Sequence, residues 1–99
     1  MKFIPSNENF RIGFNGEIEL CSGIKDFYGD LIYEGDWLTS VNGSELNFRV
    51  VYDDSTKSLV GVKTDKTKFK IQELSIINWI KNNFYVDSFE TLFFRNNEN

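Results

Sequence analysis

Apolar and polar residues alternate along most of this chain, and the alternating runs come in pairs. Phe10, Ile12, Ile18 and Leu20 alternate with polar residues around Asn15-Gly16, the period-two pattern of two strands that bury one face. A two-residue Asn-Gly loop would set Ile12 opposite Glu19. A three-residue loop Phe14-Asn15-Gly16, with Gly16 left-handed, pairs Ile12 with Ile18 and Phe10 with Leu20 instead. The second register keeps apolar residues together and is the expected one. It also sets Arg11 opposite Glu19, worth a few tenths of a kcal/mol on an exposed face.

A second hairpin is expected from Trp37 to Tyr52, where Trp37, Thr39 and Val41 face Leu46, Phe48 and Val50 across a four-residue loop at 42–45. Asp53-Asp54-Ser55-Thr56 reads as the following turn. Leu59, Val60 and Val62 then form a strand, Asp65-Lys66-Thr67 turns it, and Phe69 and Ile71 return it, giving a third hairpin over 59–71. Trp37, Phe48, Val50, Val62, Phe69 and Ile71 are the expected core. Between the first two hairpins, Gly23 to Asp36 carries Gly at 23, 29 and 35 and acids at 26, 30, 34 and 36. It reads as loop with one short strand around Leu31 to Tyr33. Leu74 to Ile80 fits a helix by the spacing of Leu74, Ile77 and Ile80 and a strand by its β-branched content, and periodicity does not decide between them. Asp87 or Ser88 is placed to cap a short C-terminal helix carrying Phe89, Leu92 and Phe93, and the polar stretch Arg95 to Asn99 is expected to fray.

Composition agrees with strands. The 99 residues include ten Phe, four Tyr and two Trp and no Ala, which favours sheet over a helical bundle. The length suits one domain, 1–99, with one core. With no His and a single Cys, imidazole bases, Cys-His dyads, His metal sites and an internal disulfide are excluded. Apolar runs stop at three residues and no charged-then-apolar leader opens the chain, so neither a membrane span nor a secretion signal is expected. A reducing cytoplasm is the expected location.

The net charge of −4 argues against a surface that coats nucleic acid as a whole. Residues 57–70, however, carry Lys57, Lys63, Lys66, Lys68 and Lys70 against Asp65, a strip of +4 that leaves −8 on the remainder. Lys63, Lys66, Lys68 and Lys70 with Phe69 among them have the make-up of a nucleic-acid contact, with an aromatic ring to stack on a base. The competing reading, lysines guarding an edge strand with Phe69 as a core residue, is preferred.

Asp26, Asp30, Glu34 and Asp36 supply carboxylates that in principle hold Ca²⁺ or Mg²⁺. Their spacing of four, four and two matches no calcium loop, and turn chemistry is the expected role, so no metal and no cofactor is expected. As acids in Gly-rich loops they are expected to be solvated with unshifted pKa values, unsuited to paired acid–base catalysis. Cys21, with only Lys25 nearby as a cation, reads as a small buried hydrophobe. No catalytic residue is assigned.

Ser22-Gly23-Ile24-Lys25-Asp26, then Gly29-Asp30, then Ile32-Tyr33-Glu34-Gly35-Asp36-Trp37, resembles the signature of the YopX family of bacteriophage and prophage proteins. Val50-Val51-Tyr52-Asp53-Asp54 and Ile80 to Leu92 are similar to two later segments of that family, with Lys81 and Ser88 where the family usually has Gly and Pro. The resemblance spans about Leu20 to Leu92. It implies a phage or prophage origin, a location in the bacterial host cytoplasm and a barrel-like β fold, and it tips Ser75 to Ile80 toward strand. The Ile-Tyr-Glu-Gly-Asp block also reads as a structural corner, in which Gly35 permits a positive φ and Asp36 bonds the backbone two residues on, flanked by Tyr33 and Trp37.

The fold expected is therefore mainly β: a small antiparallel, barrel-like domain (SH3-like or YopX-like) with a short C-terminal helix. The function expected is that of a non-enzymatic protein-binding module, a phage accessory protein that modulates a host or phage protein. Its expected contact residues are Asp26, Tyr28, Asp30, Tyr33, Glu34 and Asp36, with Tyr28 and Tyr33 as anchors. The alternatives are a nucleic-acid-binding barrel using Lys63, Lys66, Lys68, Phe69 and Lys70, and an enzyme of unrecognised type.

Overall fold

The computed structural model describes residues 9–13, 16–43, 46–88 and 91. The first hairpin forms in the expected register. β1 (Phe10–Ile12) runs antiparallel to β2 (Ile18–Lys25), with Phe10 opposite Leu20, Arg11 opposite Glu19 and Ile12 opposite Ile18. Gly16 takes φ +85°, and the Gly13 N–H closes the loop on the Glu17 carbonyl at 2.6 Å.

β2 continues to Lys25, where loop was expected. It pairs with β3 (Leu31–Tyr33) through Cys21 opposite Tyr33 and Lys25 opposite Leu31, so two extra residues bulge between those pairs. Gly23, at φ +79°, supplies the left-handed turn of the bulge. Ser22 satisfies it internally: its hydroxyl donates to the Ile32 carbonyl at 2.7 Å and accepts the Ile24 N–H at 3.0 Å.

The remaining strands are β4 (Trp37–Ser40), β5 (Asn47–Asp53), β6 (Ser58–Lys63), β7 (Lys68–Lys70) and β8 (Phe84–Val86), with helix α1 (Leu74–Asn83) between the last two. They form an antiparallel five-stranded sheet in the order β7-β6-β5-β4-β8, beside the three-stranded sheet β1-β2-β3. Fold class and antiparallel pairing are as expected, and the strands divide between two sheets around one core, with a Cα radius of gyration of 12.9 Å.

Two expectations need correction in this sheet. Leu38, not Thr39, lies opposite Phe48, a slip of one residue that exchanges the faces of β4. The core favours it because Leu38 is fully buried against Phe48, while Thr39 faces outward and donates its hydroxyl to Asp87 Oδ2 at 3.2 Å. Val62 is half-buried on the outer face opposite Arg49, and Leu59 joins the core in its place.

Residues 74–83 are helical, overturning the inclination toward strand. As a strand, 75–80 would send Ile77 and Trp79 to the face away from Ile76 and Ile80. On a helix, Ile76, Ile77, Trp79 and Ile80 gather on one side and pack against the core. The helix ends where Phe84 becomes extended, its N–H still donating to the Ile80 carbonyl. β8 then pairs with β4. The expected helix from Asp87 with Phe89, Leu92 and Phe93 falls mostly outside the described residues. Of its surroundings, the Thr91 hydroxyl accepts the Trp37 N–H at 2.9 Å. Among the described residues no helix is long and apolar enough to cross a membrane.

The core joins both sheets: Ile24 and Ile32 come from one, and Leu38, Phe48, Val50, Leu59 and Phe84 from the other, with Ile71 and Ile80. Phe48 is its centre, with ring centroids 5.0 Å from Phe69, 5.1 Å from Phe84 and 6.2 Å from Trp79. Gly61 makes room for these rings, since a Cβ there would lie 2.7 Å from Phe69 Cε1 and 2.9 Å from Phe48 Cδ2. Phe48→Ala is expected to cost about 3–5 kcal/mol, from lost burial and the cavity left among three aromatic neighbours. Urea denaturation measures it, and a change below about 1 kcal/mol would show that the core does not depend on this ring.

Candidate functional site

The acids of the Gly-rich loop divide into two that hold the fold and two nearer solvent. Asp26, just beyond β2, is 2% exposed. Its Oδ1 accepts the N–H groups of Tyr28 at 2.9 Å and Asp30 at 2.8 Å, and its Oδ2 accepts the Val86 N–H of β8 at 2.9 Å. The Phe27 N–H donates to the Phe84 carbonyl at 2.7 Å, and the Asp26 N–H to the Asp30 carbonyl at 2.8 Å. One buried carboxylate thus closes the loop at 26–30 and docks it onto the neighbouring sheet.

Asp36 is 1% exposed. Its carboxylate reaches back three residues to the Tyr33 N–H at 2.8 Å, rather than two residues forward, and its Oδ1 accepts from Arg11 Nη2 at 2.6 Å. Arg11 Nε donates to Glu19 Oε1 at 2.7 Å, and the guanidinium lies 4.6 Å from the centre of the Tyr33 ring. The Arg11–Glu19 pair expected on an exposed face is therefore part of a largely buried triad. Gly35, at φ +92°, turns the corner, and its N–H donates to the Val50 carbonyl at 2.7 Å.

The expectation that these carboxylates are solvated and unshifted is corrected for Asp36. Burial pushes its pKa above the ordinary carboxylate range, against the pull of Arg11 and the Tyr33 N–H. Burial also works against the Arg11 charge, yet Asp36 and Glu19 together hold its pKa above the usual arginine value. Asp53 and Asp65 shift the other way: Thr56 lowers the first and Thr67 the second, each by hydrogen bonding.

Of the six contact residues expected, Asp26, Tyr33 and Asp36 are interior, Glu34 is half-buried with Oε1 accepting the Leu20 N–H at 3.3 Å, and Tyr28 and Asp30 are exposed. Tyr28 is 68% exposed and the adjoining Phe27 49%. Their rings meet edge-on at 5.1 Å, and Tyr28 meets Tyr85 of β8 at 5.9 Å. Sequence reasoning missed Phe27 and Tyr85. The Phe-Tyr doublet before Gly29 was a signal for the first, whereas the second joins only through the docking of β8.

The lysines lie at the far end of the five-stranded sheet. Lys68 and Lys70 are exposed on the edge strand β7, and Lys68 Nζ lies 3.7 Å from Asp53 Oδ1. Phe69 between them packs on Phe48 and Trp79, and Lys63 Nζ lies 5.9 Å from its ring centre. Cys21 is half-buried, its Sγ accepting the Gly23 N–H at 3.4 Å. Among the described residues, no three His, Cys, Asp or Glu side chains gather as a metal site.

Asp26→Asn keeps the shape but turns one oxygen into a donor facing a backbone N–H, and is expected to destabilise the protein by about 2 kcal/mol or more in urea denaturation. For Asp36 the folded state holds a proton more tightly than the unfolded one. Its contribution to stability therefore falls as pH rises from the unfolded value near 3.9 through the raised folded value. Asp53 and Asp65 act oppositely: their contribution is present above the unfolded value and is lost as pH falls through the lowered folded values. A carbon-detected NMR titration is expected to place the Asp36 carboxyl midpoint above, and those of Asp53 and Asp65 below, the ordinary value. An Asp36 midpoint at or below the ordinary value would refute the dominance of burial. Compared with protein-family models and with curated proteins, the sequence matches none.

Proposed function

We propose that this chain is a non-enzymatic protein-binding module, a phage or prophage accessory factor that occupies a host or phage protein through the patch of Phe27, Tyr28 and Tyr85 with Asp30 beside it. The observation that carries the reading is the exposure of two adjoining aromatic rings on a loop whose backbone is fixed by a buried carboxylate. Aromatic side chains dominate interface energetics, and a loop held in place before contact loses little entropy on binding. Asp26 and Asp36, expected as contacts, serve this function by holding the loop and its corner. The −8 body and +4 strip give the molecule a dipole that steers association more than it adds affinity. The similarity of the Ile-Tyr-Glu-Gly-Asp block to the YopX signature supports the phage origin.

The test removes both rings. Phe27→Ala with Tyr28→Ala is expected to leave the thermal midpoint within a few degrees of the parent and to abolish capture of the partner from an infected or lysogenic host lysate. A variant that folds and still captures the same partner overturns the reading.

A further inference from the structure

Among the described residues, the lysine strand β7 is the last strand of the five-stranded sheet, so one side of it faces no other strand. The hairpin turn fixes which groups face that side. The Lys63 N–H donates to the Thr67 carbonyl at 2.9 Å, which makes 63/67 and, two residues on, Gly61 with Phe69 the hydrogen-bonded pairs of the β6–β7 ladder. Phe69 therefore pairs its main chain with Gly61, while the N–H and C=O groups of Lys68 and Lys70 point away from β6. The side chains alternate as well. Lys68 and Lys70 are exposed on the outer face, and half-buried Phe69 lies on the inner one, its ring centre 6.1 Å from that of half-buried Trp79.

We propose that this edge takes an extended peptide segment of a partner protein as an added strand, and that the segment reads acid, apolar, acid. An open edge is a template for main-chain pairing, with affinity from backbone hydrogen bonds and specificity from alternate side chains. A residue opposite Lys68 or Lys70 shares their outer face, where a carboxylate is favoured and a cation is not. The residue between those two turns inward beside Phe69 and Trp79, which suits an aliphatic side chain. Asp53 Oδ1 lies 3.7 Å from Lys68 Nζ, a long and exposed pairing that an incoming carboxylate can replace at little cost. A second copy of this chain is the wrong occupant, because antiparallel pairing of two β7 strands about Phe69 sets lysine against lysine. The lysines thus keep the edge from pairing with itself and admit an acidic strand. This contact is independent of the aromatic patch, at the opposite edge of the sheet from β8.

A labelled Thr-Glu-Val-Glu-Thr peptide, followed by fluorescence anisotropy and by amide hydrogen exchange of the protein, tests this. Binding is expected to slow exchange of the Lys68 and Lys70 N–H groups by about tenfold or more, while the Phe69 N–H, already paired with Gly61, changes little. N-methylation of both glutamates keeps every charge but removes the donors to the Lys68 and Lys70 carbonyls, and is expected to weaken binding by about tenfold or more. N-methylation of the valine, whose N–H points away from β7, is expected to leave binding within about twofold. Lys68→Glu with Lys70→Glu is expected to abolish binding of this peptide and to favour one with lysine in place of glutamate. Tyr28→Ala is expected to keep it, which separates the edge from the protein-binding patch. Absence of binding at low salt, equal binding of the glutamate-methylated peptide, no added protection at Lys68 and Lys70, or unchanged affinity in a folded double variant would each overturn the proposal. Equal competition by oligothymidine would also overturn it and leave only a general polyanion strip.

Discussion

Two buried aspartates hold the two sheets together. Asp36 contributes its main chain to β5, where its carbonyl accepts the Val50 N–H at 2.9 Å, and its side chain to Arg11 of β1. Asp26 spans the same division, from the end of β2 to the Val86 N–H of β8. A carboxylate suits this position because it accepts several N–H donors at once, and each would otherwise be a buried orphan. Burying its charge costs free energy, which the Arg11 guanidinium and the converging N–H groups offset. Hydrophobic contact alone would let the sheets slide, since apolar burial is non-directional. The clasps fix their relative placement.

That placement decides what the core can be. With the three-stranded sheet set by Asp26 and Asp36, Ile24 and Ile32 meet Leu38, Phe48 and Val50. α1 then adds Ile80, and the Trp79 ring meets Phe84 edge-on with centroids 4.7 Å apart. Gly61 belongs to the same constraint. A strand interior ordinarily disfavours glycine, but here the missing Cβ lets the rings of Phe48 and Phe69 approach β6. Packing density in the aromatic cluster thus rests on a residue whose own strand propensity is poor.

Local signals in the sequence were readable where their causes were local. The register of the first hairpin follows from loop length and the pairing of Ile12 with Ile18, all within a dozen residues. The register of β4 does not, because what fixes it lies far along the chain: Thr39 bonds Asp87, Val41 bonds the Asn83 carbonyl, and Ser40 lies opposite Phe84. The helix at 74–83 escaped for a similar reason. Its β-branched residues favour strand by propensity, and only the core waiting on one side makes the helical arrangement better. The same held for the site. Asp26 stands among glycines and looks solvated until Val86, sixty residues on, supplies its third donor. Tyr28 was legible as an exposed ring from its loop context, whereas Tyr85 joins it only through tertiary docking.

Under the proposed reading, the clasp at Asp26 also links stability to recognition. The carboxylate that joins the sheets is the one that accepts the Tyr28 and Asp30 N–H groups, so the loop cannot relax without exposing donors that the fold has already satisfied. Phe27 and Tyr28 therefore project from a backbone whose conformation is set by the sheet packing, and the entropy of ordering that loop is spent in folding rather than at an encounter. The lysine hairpin is constrained differently: its turn is built from Asp65 and the left-handed Lys66, on the opposite edge of the sheet from β8. Aromatic area and positive charge thus occupy separate ends of one small sheet, and the intervening strands give each a rigid base without bringing their chemistry into contact.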